Sequence, residues 1–285
     1  LLGFAAGSEP NDATSSLHFS RKKLGMFLTY ERHSQNGQRL ASTLALSASY
    51  EQNHVNREFV YLQNTYSFLQ WFSLYQSVEV DINRGWRKQA QGHAFSFSNL
   101  YIIANAMPAS FLSLNFSYDA RRNVRTFDSF GIPDSLFDFS LHQGVSGGFS
   151  LTLPHDMSLR ANASLRFQQG PTNDNFYGSI YYGIRNFPRR GHALAARLAF
   201  FNTPFSRGVR PVLSYRFPFK RRMYVSFSGG GYIYRTGTRQ ISNYYGEISS
   251  YASIARRYYA SFHLRQYFDS QLQSMQLFLE SGMNF

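Results

Sequence analysis

Arginine is the residue type with the most chemical reach in this sequence. Arg160, Arg166, Arg185, Arg197, Arg210, Arg216, Arg257 and Arg265 all fall at alternate, polar positions of stretches that otherwise switch regularly between apolar and polar side chains. A guanidinium stays charged at any physiological pH and grips carboxylate, phosphate or sulfate through two parallel hydrogen bonds. Several of them on one wall attract anions and focus the field where water is confined. Glu31, Glu79, Asp81 and Asp119 share the polar positions of the first half. Facing the arginines, they would make an opposing acidic wall and a transverse field. The competing role for the same arginines is pairing with acids to keep a polar interior ordered. Residues 143–285 carry 17 Lys and Arg against 5 Asp and Glu, so local pairing cannot satisfy them all there; residues 1–142 carry 12 against 11.

Three further groups bear on chemistry. The segment 126–141 reads TFDSFGIPDSLFDFSL, with Asp128, Asp134 and Asp138. Folded inward it would narrow a passage as a constriction loop; folded outward it is a surface loop. Arg189, Arg190, Arg221, Arg222 and Arg256 stand at the ends of the alternating stretches, where lipid phosphates are the natural partners. The eight histidines are scattered, none at a metal-ligand spacing from another, and there is no cysteine, so no metal site and no cofactor are expected. His142 and Ser146 share a strand face without an evident orienting acid. Gly229-Gly230-Gly231 is followed by no helix, which makes it a place for close approach of a tyrosine rather than a phosphate loop. The polar residues match no recognisable catalytic arrangement, and no nucleic-acid module is present. No enzymatic activity is expected.

The elements that must position these groups are strands. In 159–167, Leu159, Ala161, Ala163, Leu165 and Phe167 alternate with Arg160, Asn162, Ser164 and Arg166; 72–82 and 112–118 do the same. Period two puts one face in oil and one in water. Strands are expected at 24–34, 38–52, 55–69, 71–83, 92–106, 109–125, 142–153, 156–169, 174–187, 191–204, 207–219, 222–236, 256–268 and 272–285, fourteen in all within a range of 12–16. Such lengths exceed the ~5–6 residues of soluble strands and suffice to cross a bilayer. The expected fold is all-β, a closed antiparallel transmembrane β-barrel over 24–285, preceded by a partly extended segment over 1–23. Leu1–Gly7 reads as the tail of a removed segment or a domain junction. Aromatic residues near strand ends, with 20 Tyr and 28 Phe in the chain, would form interfacial girdles.

The final stretch, LQSMQLFLESGMNF, alternates Met275, Leu277, Leu279, Met283 and Phe285 with polar residues. It resembles the terminal strand of bacterial outer-membrane β-barrels, porins among them. Ser281 departs from that pattern. The resemblance implies an integral outer-membrane location, Phe285 as the signal read by the barrel-assembly machinery, and outer-membrane lipids as partners. The sequence resembles neither the His-Ser phospholipase barrels nor the Asp-His protease barrels of that membrane.

The function expected is a channel whose arginine-rich lumen passes anionic solutes or an acidic polymer. One alternative is an export barrel for an acidic polysaccharide, working with a periplasmic scaffold. The other is a non-conducting barrel that anchors a secretion, motility or surface complex. With Phe285 on the periplasmic side, counting back through fourteen strands puts the long connections 84–91, 126–141 and 237–255 on that side too, which favours a periplasmic partner.

Overall fold

The computed structural model describes residues 2–9, 21–34, 37–51, 54–68, 70–126, 137–138, 140–167, 174–220, 222–253, 258–268 and 273–283. The strands are β1 (Leu2–Glu9), β2 (Arg21–His33), β3 (Arg39–Glu51), β4 (His54–Phe68), β5 (Phe72–Ile82), β6 (Phe95–Ala109), β7 (Leu112–Arg122), β8 (Leu141–Leu153), β9 (Met157–Phe167), β10 (Asn175–Arg185), β11 (Ala193–Asn202), β12 (Ser206–Lys220), β13 (Met223–Thr236), β14 (Arg239–Ser253), β15 (Tyr258–Phe268) and β16 (Gln273–Met283). One short helix, α1 (Trp86–Gln91), lies between β5 and β6.

The chain divides into two compact units. The first comprises Leu1–Pro108, Asn115–Ser146 and Arg166–Pro171; the second comprises Ala109–Leu114, Gly147–Leu165 and Thr172–Phe285. In the first, β1 to β6 form an antiparallel meander in which each strand pairs with its sequence neighbour. In the second, β10 to β16 do the same. The expected barrel closure is not displayed by either unit. Each is an open ladder, and among the described residues β1 pairs only with β2 and β16 only with β15.

Among the described residues there are sixteen strands, two more than the fourteen expected and at the edge of the 12–16 range. The first addition is Leu2–Glu9, which pairs with β2 where only a partly extended segment was expected. The second is Arg239–Ser253, inside 237–255, a stretch whose sequence allowed either a loop or one more strand. Its sequence, RQISNYYGEISSYAS, mixes serine and tyrosine on both faces, so the apolar alternation that marks the other strands is faint. The register Ser228↔Glu247↔Arg265 shows what holds it: polar pairs to both neighbours. With β14 in place, 237–255 is no longer one of the long connections.

Register carries the two-faced pattern from strand to strand. In the second unit, Phe200, Val209 and Ile233 are successive partners on the apolar side, and Leu198 and Leu213 stand on that side as well. One residue over, Tyr181, Arg197, Val212, Gly230, Tyr245 and Tyr267 lie opposite one another on the polar side. Gly230 is required there. A Cβ at that position would sit 2.7 Å from the Pro211 carbonyl and 2.9 Å from the Tyr245 ring, the close approach of a tyrosine expected from the three glycines. The hairpin between β8 and β9 turns on His155 and Asp156, both left-handed at φ 61° and 57°, the backbone of a tight primed turn.

Neither unit has a hydrophobic core of the ordinary kind. Among the described residues the buried apolar side chains are Ala120 in the first unit and Tyr245 in the second. Leu24, Met26, Leu28, Leu44 and Leu46 are exposed in the first, and Leu198, Leu213, Leu277 and Leu279 in the second. Among the described residues no helix is long and apolar enough to cross a membrane.

Candidate functional site

The polar face of the first unit holds a closed ionic cluster. Arg57, on β4, donates from Nε to Asp81 Oδ1 at 2.9 Å and from Nη2 to Asp81 Oδ2 at 3.0 Å, and its Nη2 also bonds Glu79. Asp81 and Glu79 are two apart on β5, so both point to one face. From α1, Arg87 brings Nη2 to 3.0 Å from Asp81 Oδ1. Asp81 is 0 % exposed and Arg87 1 %. A charge taken that far from water survives only with partners, and here two cations share one carboxylate. Next to it, Asn83 donates to Ser96 Oγ at 2.5 Å and to the His93 carbonyl at 3.1 Å.

The helix is pinned as well as charged. Trp86 Nε1 donates to the Val55 carbonyl at 2.8 Å, and Gly92, left-handed at φ 75°, closes the helix by donating to the Lys88 carbonyl. On the other side of the strand ends Arg84 pairs with Glu58 at 3.3 Å, and Tyr50 donates to Glu58 at 3.2 Å. The segment 83–94 therefore folds against the ends of β4 and β5 and places Arg87 on their polar face.

The expected acidic wall is thus largely occupied at home. Glu79 and Asp81 are taken by Arg57 and Arg87, and Glu31 lies 3.8 Å from Arg39. Asp119 packs beside Gly144, where any side chain would collide with its carboxylate. Arg57 and Arg87 were missed in the sequence. Arg57 had a legible signal, since it occupies the polar parity of the strand preceding Glu79 and Asp81. Arg87 had none, because its role depends on the path of 83–94.

The second unit carries the opposite balance. Arg197, Arg210 and Arg216 sit on the polar side of β11 and β12, with Arg160 on β9 and Arg185 on β10; all five are exposed. Among the described residues none of them makes an ion pair. Instead Arg210 stacks over the Tyr232 ring at 4.5 Å and Arg160 lies 5.9 Å from the Tyr181 ring centre, contacts that hold a guanidinium without neutralising it. Arg265 behaves differently. It is clasped by Glu247 at 2.8 and 2.5 Å and by the Tyr267 hydroxyl at 3.0 Å, with His263 3.6 Å from the same carboxylate. Arg265 is thus paired with a carboxylate, unlike the five exposed arginines. Arg166 is exposed and belongs to the first unit. Arg257, Asp128, Asp134 and Phe285 lie outside the described residues.

Asp138, the described member of the expected constriction loop, forms a local turn. Its Oδ1 accepts from the Ser140 N–H at 2.9 Å and from the Ser140 hydroxyl at 2.5 Å, and its Oδ2 lies 2.9 Å from His142 Nε2. The Ser140 bonds, helped by His142, hold the Asp138 carboxyl below its usual range. Here an acid does stand beside His142, contrary to expectation. However, Asp138 and Ser140 both approach the same nitrogen, Nε2, so the imidazole cannot relay a proton between them. Ser146 is engaged with Ser117 at 2.7 Å. Among the described residues no three His, Asp or Glu side chains gather as a metal site.

No family model and no curated protein matches the sequence. Solved structures do resemble the fold. A triple mutant of the Rhodopseudomonas blastica porin aligns over 100 % of both chains with 9 % identity and a TM-score of 0.42. Pseudomonas aeruginosa OccK5 (OpdH) aligns over 100 % of this chain and 96 % of its own, with 8 % identity and a TM-score of 0.44. Likenesses this distant assign neither family nor function.

Proposed function

We propose that the chain is a transmembrane β-barrel of a bacterial outer membrane whose polar face lines a channel favouring anionic solutes. The observation that carries the reading is the exposure of the apolar parity. Rows of leucine, phenylalanine and methionine run exposed along strands of 10–15 residues, and none of the described residues covers them. A soluble monomer rarely leaves such an area bare, whereas hydrocarbon covers it and requires the strands to close into a barrel without edges. With lipid on one parity, the other faces water. Arg160, Arg185, Arg197, Arg210 and Arg216 then line the lumen with no carboxylate partner among the described residues, lowering the barrier for anions while many weak sites let them leave.

With β14 filling most of 237–255, one of the long connections that argued for a periplasmic scaffold is gone, so the export barrel loses part of its support. The non-conducting anchor keeps one supporting observation. Helix α1 delivers Arg87 onto the polar face of β4 and β5, where it would fill part of a lumen.

The test is a planar bilayer with a salt gradient. The reading predicts stepwise conductance and a reversal potential of anionic sign, moving towards cations in a variant with Arg160, Arg197, Arg210 and Arg216 changed to Glu. A folded, inserted chain that passes no current would overturn the channel and leave the anchor.

A further inference from the structure

Two strand arginines of the second unit break the pattern of Arg160, Arg185, Arg197, Arg210, Arg216 and Arg265. Arg207 and Arg235 are direct partners across β12 and β13, and they lie on the apolar parity, in line with Val209 and Ile233 and with Asn202 and Gln240 on either side. Like charges directly opposite on one face repel and are ordinarily avoided. Among the described residues neither makes an ion pair. Arg235 spends Nε on the Gly237 carbonyl at 3.1 Å, and among the described residues neither terminal nitrogen of its fork makes a hydrogen bond. The two side chains line a concavity of about 350 Å3 with Asn202, Thr203, Phe205 and Ser206. Phe205 stands out from it at 81 % exposure. A like-charge pair kept beside a concave, hydroxyl-bearing wall calls for an anion to sit between them.

The position specifies which anion. On the apolar parity, past the last apolar pair Val209 and Ile233, the site stands at the level where hydrocarbon gives way to headgroups, with Phe205 as an interfacial aromatic. We infer that Arg207 and Arg235 form a clamp for the phosphate of a membrane lipid whose acyl chain lies along the apolar face below. The inference rests on that face meeting lipid and is independent of what the lumen conducts.

The test uses the purified full chain, first floated with vesicles and then stripped of loose lipid for native mass spectrometry. Vesicles contain phosphatidylglycerol or, in a parallel arm, an uncharged glycolipid without phosphate. The clamp predicts retained phosphatidylglycerol that falls roughly tenfold in the Arg207→Gln, Arg235→Gln double variant. Arg210→Gln, which removes a charge from the opposite face, leaves retention unchanged, and the glycolipid is held no better by the native chain than by the double variant. Equal phosphatidylglycerol retention by the native chain and the double variant would overturn the clamp. So would full displacement of the lipid by millimolar inorganic phosphate, which marks a free-anion site. A chain that fails to float with either vesicle overturns the membrane reading itself, a result distinct from floating without selectivity.

Discussion

Asp81 shows how a single carboxylate organises its surroundings. It has no access to water, accepts from Arg57 and Arg87, and so ties β4, β5 and α1 together. Removing one cation leaves a buried charge half compensated. Arg87→Ala is expected to cost about 3 kcal/mol, read as a lower urea midpoint for the detergent-folded chain. Arg39→Ala, which releases only the half-exposed pair with Glu31, should cost less than ~1 kcal/mol. In the proposed channel, Arg87→Ala would also raise single-channel conductance by freeing α1. Asp138 gives a pH prediction at the same scale. Its carboxyl titrates below the ordinary carboxylate value when folded, so the turn with Ser140 contributes its stability fully above about pH 4 and loses it as the pH falls through the folded value. Amide exchange at Ser140 should therefore quicken only in acid, and Asp138→Asn should remove that dependence.

At the scale of elements, register does what single residues cannot. In β13, Gly230 leaves room for the Tyr245 ring on one face and Gly231 for the Tyr244 ring on the other. Gly230→Val would drive a branched side chain into a backbone carbonyl 2.7 Å from its Cβ. A loss of at least ~2 kcal/mol is expected, seen as failure to regain the compact, heat-modifiable band on gels. The fourteen expected strands are all present within a few residues, because long runs of period two admit no other backbone. β14 was legible only as one of two readings of 237–255, a loop or one more strand, because both of its faces carry serine and tyrosine and its placement depends on partners rather than on its own pattern. The short helix escaped because Trp86–Gln91 is too short to display a period. The ionic cluster escaped for a related reason: Asp81 was legible as a polar-face acid, but its partner comes from a connection whose path no spacing encodes. The unpaired arginines could be anticipated from charge counting alone, since five acids cannot neutralise seventeen cations.

At the scale of the molecule, the formal charge of +13 and the uncovered apolar parity belong together. In the proposed barrel the cations face water or lipid phosphate and the apolar rows face hydrocarbon, so each strand is sorted by parity between two solvents. The absence of cysteine allows that sorting to be read directly. The measurement is a single-cysteine scan along β12, with the chain inserted in lipid vesicles and labelled by a membrane-impermeant thiol reagent, and with the reagent present on both sides. Cysteines at Arg210, Val212, Ser214 and Arg216 are predicted to label rapidly, and those at Val209, Pro211, Leu213 and Tyr215 to label at least ten times more slowly. Equal labelling of both sets, or faster labelling of the second set, would contradict the assignment of the two faces and with it the channel.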